Sequence, residues 1–185
     1  MKQIILASAS PRRKEIMNLL NIPYEIKIAD IDEKINKDND LIQEIENISY
    51  LKALKVFNEN KDAVVIGADT IVVINNEVLG KPKSKQEAKQ MLQMLQNNFH
   101  HVITSVTILS NKKSETFSNI SKVIFNKMSN EEIDEYINTN EPMDKAGAYA
   151  IQGLGAKFVN SIEGDYYAIM GLPINELYKR LKNYL

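Results

Sequence analysis

The pattern of apolar and polar positions is clearest near the middle of the chain. Residues 63–66 and 71–74 are continuous apolar runs, mostly of β-branched side chains, and Gly67 ends the first of them. Runs of this kind predict strands that are buried on both faces. Asp69 and Thr70 lie between the two runs. The pattern therefore predicts two buried strands with an aspartate between them.

Shorter signals predict the other elements of secondary structure. Capping residues followed by helical spacing predict helices that begin near residues 11, 41, 85, 130 and 173. Apolar runs and alternating segments predict strands at residues 3–7, 24–28, 102–109, 116–125, 157–159 and 165–170. Two capping boxes, at residues 84–87 and 129–132, open the third and fourth helices. The apolar face predicted for the last helix consists of Ile174, Leu177, Leu181 and Leu185.

The first predicted helix begins with an unusual concentration of positive charge. Ser8 and Ser10 precede it, and Arg12, Arg13 and Lys14 lie in its first turn. Cations at a helix amino end are unfavourable by roughly several tenths of a kcal/mol each, unless an anion binds there. Backbone amides and guanidinium groups together bind phosphate well. The segment therefore predicts a phosphate site, and the alternative is a solvated basic face.

Asp69 needs a positive partner if it is buried between two strands. An unpaired buried carboxylate costs roughly several kcal/mol. Lys81 follows the predicted turn at Asn75 and Asn76 and is the candidate partner. The alternative is that Asp69 caps a turn between the two strands, as aspartates commonly do.

Two further groups of charged residues can be interpreted either as parts of a functional site or as ordinary solvated side chains. Asp30, Asp32 and Glu33 are oxygen ligands of the kind that Mg²⁺ or Mn²⁺ prefers, or they form a solvated acidic loop. Lys52 lies on the apolar stripe of the second helix. Its side chain either extends along the surface to water or reaches a polyphosphate.

The segment 141–155 is rich in glycine and alanine and has no clean period. Such a composition suits a backbone that passes close to a ligand, and the alternative is an ordinary glycine-rich loop. His100 and His101 are adjacent and have no third ligand at metal-binding spacing, so a metal site is not expected there.

Composition limits the classes of function. A chain of 185 residues with 44% hydrophobic and 25% charged residues can bury the core of one domain. The formal net charge of −1 does not favour binding to a nucleic-acid polymer or an anionic membrane. The absence of cysteine excludes disulfides and thiolate chemistry. No apolar run is long enough for a signal sequence or a membrane span, so we expect a cytoplasmic protein.

Six segments together resemble the Maf family of nucleotide pyrophosphatases, which is related in fold to inosine triphosphate pyrophosphatases. They occur in the family's order and span almost the whole chain. They are LASASPRRKEIM at 6–17, the acidic stretch at Glu33 with the following helix that carries Lys52, IGADTIVV at 66–73, LGKPKSKQEA at 79–88, EPMDKAGAYAIQGLGAKFV at 141–159 and IEGDYYAIMGLP at 162–173. One departure is Asn97, near a position before His100 where the family often has glycine.

This resemblance implies an α/β fold, in which a mixed, elongated sheet is flanked by helices and two lobes enclose a substrate cleft. It implies one such domain over residues 1–185 and assembly as a homodimer. It also implies hydrolysis of a nucleoside triphosphate to the monophosphate and pyrophosphate, with Mg²⁺ or Mn²⁺ as cofactor.

The resemblance also assigns roles to single residues. Asp69 matches the proposed general base, and Glu33 is expected to bind the metal, with Asp69 as a second ligand. The residues expected to bind substrate are Ser8, Arg12, Arg13, Lys52, Thr70, Lys81 and Gln152.

At three of these positions the chain resembles the subgroup that acts on dTTP and UTP, so we expect it to hydrolyse these nucleotides, and modified uridine triphosphates, as house-cleaning of the nucleotide pool. The three positions are Arg12, Thr70 and Gln152. A carboxamide both donates and accepts hydrogen bonds and so matches the N3–H and carbonyl of uracil or thymine. The subgroup for 7-methyl-GTP has an acidic residue at the Gln152 position. That activity, and a non-catalytic role in septum formation, are the alternatives.

Overall fold

The computed structural model describes residues 2–36 and 39–185. The strands in these ranges are β1 Ile4–Ala7, β2 Glu25–Ile26, β3 Val64–Ile74, β4 Glu77–Leu79, β5 Phe99–Leu109, β6 Ser114–Phe125 and β7 Val159–Glu163. The α-helices are α1 Pro11–Asn18, α2 Leu41–Asn58, α3 Lys85–Leu95, α4 Asn130–Asn138, α5 Tyr166–Met170 and α6 Ile174–Leu181. Short 3-10 segments lie at Glu141–Asp144, Ala146–Ala148 and Leu154–Phe158.

The seven described strands form one mixed sheet in the order β2-β1-β3-β5-β6-β7, and β4 pairs with β3. Strand β1 is parallel to both β2 and β3, with Ala7 opposite Gly67. The pairs β3–β4 and β6–β7 are antiparallel. Together with the helices, this sheet confirms the predicted α/β class. Within the described residues, no helix has the length and apolar character needed to cross a membrane.

The chain divides into two compact units. The first comprises the described parts of residues 1–69, 104–119 and 171–185, and the second comprises residues 70–103 and 120–170. Each unit has an apolar cluster of its own. Members of the first cluster are Ile5, Ala53, Val65 and Leu109, and members of the second are Leu92, Val102, Ile133 and Phe158. A single domain with two lobes over residues 1–185 stays a prediction.

The two runs around Asp69 form one strand of 11 residues, Val64–Ile74. The expectation of two separate strands was therefore wrong, and so was the alternative that Asp69 caps a turn. Residues 68–70 lie inside β3, between the ladder with β1 at its start and the ladder with β4 at its end, so no turn interrupts the chain at Asp69. The turn after β3 is confirmed, because Asn75 and Asn76 have φ values of 49° and 65°, typical of a two-residue hairpin.

The predicted helix caps at Ser10 and Ser129 are confirmed. Of the capping box predicted at Ser84, only the serine hydrogen bond is present. Ser10 accepts a hydrogen bond from the backbone N–H of Arg13, and Ser129 forms a complete capping box with Glu132. The Ser84 hydroxyl accepts from the N–H of Glu87 at 3.1 Å. In a complete capping box the Glu87 carboxylate would accept from the backbone N–H of Ser84. Here it accepts from the N–H of Lys83 at 2.7 Å instead.

The strand predicted at residues 165–170 was wrong, because these residues form helix α5. Asp165 explains the difference, since its carboxylate accepts hydrogen bonds from the N–H groups of Tyr167 and Ala168 and caps the helix. Residues 157–158 likewise belong to a 3-10 segment, and the strand begins at Val159.

The ends of other elements also differ from their predictions. Helix α1 ends at Asn18, and β2 has only two residues, whereas a strand over residues 24–28 was predicted. Helix α6 ends at Leu181, so Leu185 lies beyond it and is 51% exposed. Tyr184 is buried near this end, and its hydroxyl donates to the carbonyl of Ile108 at 3.2 Å.

Candidate active site

The ammonium group of Lys52 joins two carboxylates in the first unit. Its Nζ donates to Asp69 Oδ1 at 2.7 Å and lies 2.8 Å from Glu33 Oε1. The side chains of Lys52 and Asp69 are only 8% and 11% exposed. The partner found for Asp69 is therefore Lys52 of α2, whereas the sequence had suggested Lys81. The interpretation of Lys52 as a side chain extending to water was wrong, because both of its partners are carboxylates.

Close packing between α2 and β3 makes this ion pair possible. A methyl group added at Gly67 would lie 2.3 Å from the backbone oxygen of Ser49 and 2.7 Å from the nitrogen of Ala53. Both are backbone atoms of α2, so the helix rests directly on the strand at the point where a side chain is missing. Ser49 is buried in the same turn of α2, and Lys52 follows three residues later.

A group of buried hydroxyls fixes the same part of α2 to strand β5. The Ser49 hydroxyl lies 3.0 Å from that of Ser105 and 2.9 Å from that of Thr107. Ser49 and Thr107 are fully buried, and the Thr107 hydroxyl lies 2.8 Å from that of Thr116. Buried and bonded hydroxyls of this kind restrict the position of a helix, since moving it would leave them unpaired.

The loop between β1 and α1 is held by Ser8 and Arg13. The buried Ser8 hydroxyl accepts from the N–H of Ser10 and from Arg13 Nη1, both at 3.2 Å. Arg13 Nε donates to the carbonyl of Gly171 at 2.8 Å. Arg13 is therefore bonded to protein groups at the position where the sequence predicted a phosphate site.

The charges of the first unit influence one another. Burial lowers the pKa of the Arg13 guanidinium below its usual value, and the negative charges of Asp69 and Glu33 act in the opposite direction. The neighbouring guanidinium of Arg12 lowers the pKa of Arg13 further. Five predicted site residues thus share one electrostatic environment. They are Arg12, Arg13, Glu33, Lys52 and Asp69.

The other three predicted site residues belong to the second unit. Thr70 is half-buried in β3, Lys81 is exposed just after β4, and Gln152 is exposed between two 3-10 segments. Their participation in substrate binding stays a prediction.

The segment that carries Gln152 is organised by Glu141, which the sequence analysis did not single out. Its carboxylate accepts from the N–H groups of Leu154 at 3.0 Å and Gly155 at 3.1 Å, and from the Tyr136 hydroxyl at 2.8 Å. The Tyr136 hydroxyl also accepts from the N–H of Ala150 at 3.2 Å. The available signal was a single acidic residue at the start of a glycine-rich segment, which did not indicate its partners.

Replacing Glu141 with glutamine is expected to lower the free energy of unfolding by about 1–3 kcal/mol at pH 7. The amide nitrogen would face one of the N–H donors that the carboxylate now accepts from. Burial raises the pKa of Glu141, but the bonds from Leu154, Tyr136 and Gly155 outweigh it, so the pKa is below the usual 4.5.

A carboxyl group with a lowered pKa stabilises the fold above its usual pKa and loses this effect as the pH falls through the folded-state pKa. The difference between wild type and Glu141→Gln should therefore be largest at pH 7 and shrink below about pH 4. Urea denaturation at both pH values measures it, with Glu135→Gln on the exposed face of α4 as the control. A difference that grows on acidification would contradict this account.

His100 is bonded to a tyrosine. Its Nε2 lies 2.7 Å from the Tyr149 hydroxyl, and its ring makes an edge contact with Phe125. Burial lowers the pKa of His100 to about 3, with a smaller contribution from the neighbouring His101. The imidazole is therefore neutral at physiological pH and acts as part of the core of the second unit.

Glu33 and Asp69 fit a divalent cation that brings further ligands with it. The two carboxylates offer oxygen ligands close to one point, since both bind the same ammonium nitrogen. In residues 2–36 and 39–185, no group of three or more histidine, cysteine or acidic side chains could hold a metal. Mg²⁺ is commonly held by one or two carboxylates, waters and phosphate oxygens of the substrate. The donor set matches that mode of binding.

Comparison with known proteins supports the resemblance found in the motifs. The family model described as Maf-like protein matches residues 3–184. A dTTP/UTP pyrophosphatase of Bacillus cereus is 46% identical over 184 residues, covering 100% of this chain and 96% of the relative. A protein of the same name from Bacillus velezensis is 48% identical over 183 residues, covering 99% of this chain and 97% of the relative.

A solved structure supports the fold. The Ham1 protein of Staphylococcus aureus superposes with a TM-score of 0.54 at 15% identity, and the match covers 100% of both chains. At this identity the likeness concerns the fold alone, and it confirms the predicted fold class. From the family model and the two bacterial relatives, we conclude that the chain belongs to the Maf family.

Proposed function

We propose that the protein is a nucleoside triphosphate pyrophosphatase that hydrolyses dTTP and UTP to the monophosphate and pyrophosphate. Membership of the Maf family and the names of relatives at 46% and 48% identity support the reaction and the substrates. The observation that carries the proposal is a buried aspartate that is bonded to Lys52 and interacts electrostatically with Arg13, which in turn has Arg12 as a neighbour.

In the proposed reaction, Asp69 accepts a proton from the attacking water. The oxygen of this water forms a bond to the α-phosphorus, and the bond from that phosphorus to the bridging oxygen breaks. The electron pair of the broken bond leaves with pyrophosphate. A general base in this position typically contributes about 10²–10⁴-fold to the rate. Burial of Asp69 in strand β3 restricts the position of its carboxylate.

The cationic side chains stabilise the negative charge of the phosphates. Lys52 and Arg12 bind phosphate oxygens directly, and we assign the same role to Lys81. Arg13 is fixed by Ser8 and Gly171, so it contributes a positive charge that need not be reoriented when substrate binds. Fixed charges of this kind stabilise the transition state more than mobile ones, because no energy is spent in ordering them.

Glu33 and Asp69 would hold the divalent cation, Mg²⁺ or Mn²⁺. When bound, such an ion makes water more acidic and neutralises charge on phosphoryl oxygens. Glu33 lies in the segment between β2 and α2, and its side chain is 53% exposed, so it can accept an ion that arrives from solvent with the nucleotide.

Gln152 is proposed to recognise the base. A panel of triphosphates, assayed by pyrophosphate release, should show the highest kcat/KM with dTTP and UTP. The variant Gln152→Glu should lose about 10–100-fold on these two substrates, since a carboxylate only accepts hydrogen bonds and repels a pyrimidine carbonyl.

The matched control is Gln86→Glu, which adds the same charge on the exposed surface of α3. Fastest turnover of 7-methyl-GTP by the wild-type protein would overturn the substrate assignment. An unchanged substrate profile in Gln152→Glu would exclude Gln152 from base recognition.

A further inference from the structure

The ammonium group of Lys52 contacts both carboxylates that would hold a divalent cation, those of Glu33 and Asp69. Its Nζ lies 2.7 Å from one carboxylate and 2.8 Å from the other. A Mg²⁺ or Mn²⁺ ion bound to both carboxylates would have to approach within a few ångströms of this ammonium group. Two positive charges at such a distance repel each other strongly in a partly buried site.

The two carboxylates do not lack positive charge when nucleotide is absent. Lys52 is bonded to both of them, and the guanidinium of Arg13 lies within range of their charges. With Arg12 beside Arg13, the cluster of Arg12, Arg13, Lys52, Glu33 and Asp69 contains two negative and three positive charges. A cluster whose negative charges are already compensated in this way attracts a divalent cation only weakly. A bound triphosphate changes this, because its oxygens offer the Lys52 ammonium group alternative hydrogen-bond acceptors.

The backbone of Lys52 is fixed, whereas its side chain can turn. Contact with Gly67 and the hydroxyl bonds of Ser49 fix α2 against β3 and β5. A lysine ammonium has three donors on a flexible stem, and two of them are used by the carboxylates. Lys52 can therefore move its charge from carboxylate to phosphate while the helix remains in place.

We propose that Lys52 blocks the metal site of the free protein and opens it when the triphosphate binds. The phosphates draw the ammonium away from Glu33 and Asp69, and these carboxylates would then be available to a divalent cation that arrives with the nucleotide. This inference rests on the proposed function, since it requires a triphosphate substrate. It predicts that metal affinity without nucleotide is limited by Lys52 itself.

Binding of Mn²⁺ to the nucleotide-free protein tests the proposal, measured from the electron paramagnetic resonance signal of unbound Mn²⁺. The variant Lys52→Met should bind Mn²⁺ at least tenfold more tightly than the wild type, because the apolar side chain leaves both carboxylates to the metal. Lys55→Met, on the exposed side of α2, should bind like the wild type. The double variant Lys52→Met/Glu33→Gln should lose the gain, which would assign it to this pair of carboxylates.

Equal or weaker Mn²⁺ binding by Lys52→Met would overturn the proposal, and so would a gain that persists without Glu33. If circular dichroism shows that Lys52→Met does not fold, Lys52→Gln is used in its place. It should likewise bind Mn²⁺ at least tenfold more tightly than the wild type. The measurement involves no turnover, so it is independent of the proposed reaction. A gain in metal affinity in a protein that hydrolyses no triphosphate would reject the function and leave the competition between Lys52 and metal intact.

Discussion

Replacing Asp69 with asparagine is expected to lower kcat for dTTP by at least about a hundredfold, the lower end of what a general base contributes. Asparagine has nearly the same shape, and its carbonyl oxygen can still accept a hydrogen bond from Lys52. What is lost is the ability to take a proton and the negative charge that would bind a metal. The effect should therefore appear at saturating substrate, in kcat rather than in KM alone.

The fold should survive this replacement. Removing one partner of a buried ion pair usually costs about 3–5 kcal/mol, because the other charge is left alone. Lys52 keeps Glu33 as a partner at 2.8 Å, so the cost should be smaller. Circular dichroism and urea denaturation check the fold, and Asp62→Asn at an exposed position is the matched control. A variant that is folded and retains kcat within tenfold of the wild type would show that another group takes the proton.

Local signals in the sequence predicted the parts of the fold that depend on neighbouring residues. The serine caps at Ser10 and Ser129 and the turn at Asn75 and Asn76 depend on contacts between residues at most three apart. The extent of β3 depends on pairing with other strands, such as β1 at its start and β4 at its end, and the spacing of apolar residues contains no information about such pairing. For this reason one strand was mistaken for two.

The candidate site shows the same limit. Motifs singled out Asp69, Glu33 and Lys52 separately, but the bonds among them require a helix to pack on a strand, and the two elements are distant in sequence. Lys81 was chosen as the partner of Asp69 because it is nearer along the chain to the same strand. The role of Glu141 depends on residues 154 and 155, and no spacing rule relates them to it.

Gly67→Ala is expected to damage both stability and turnover, because this position sets the distance between α2 and β3. The added methyl group would lie 2.3 Å from the backbone oxygen of Ser49. Restoring an ordinary van der Waals separation requires the helix and strand to part by about 1 Å. Excess volume in a packed core typically costs about 1–3 kcal/mol, and a clash with backbone places this variant at the upper end.

The same displacement would act on the proposed chemistry. Lys52 is three residues from Ser49 on α2 and is bonded to Asp69, two residues from Gly67 on β3, so a shift between these elements changes the geometry of the ion pair directly. A misplacement of about 1 Å can cost about a hundredfold in rate. Urea denaturation and kcat for dTTP measure the two effects.

Gly80→Ala provides a close control, since a methyl group there would meet no atom within 4 Å. It adds the same group at an open position and should leave the free energy of unfolding and kcat close to the wild-type values. If Gly67→Ala behaves like Gly80→Ala, then contact between α2 and β3 does not position Lys52. If stability falls but kcat remains, the packing supports the fold alone and the ion pair tolerates the shift.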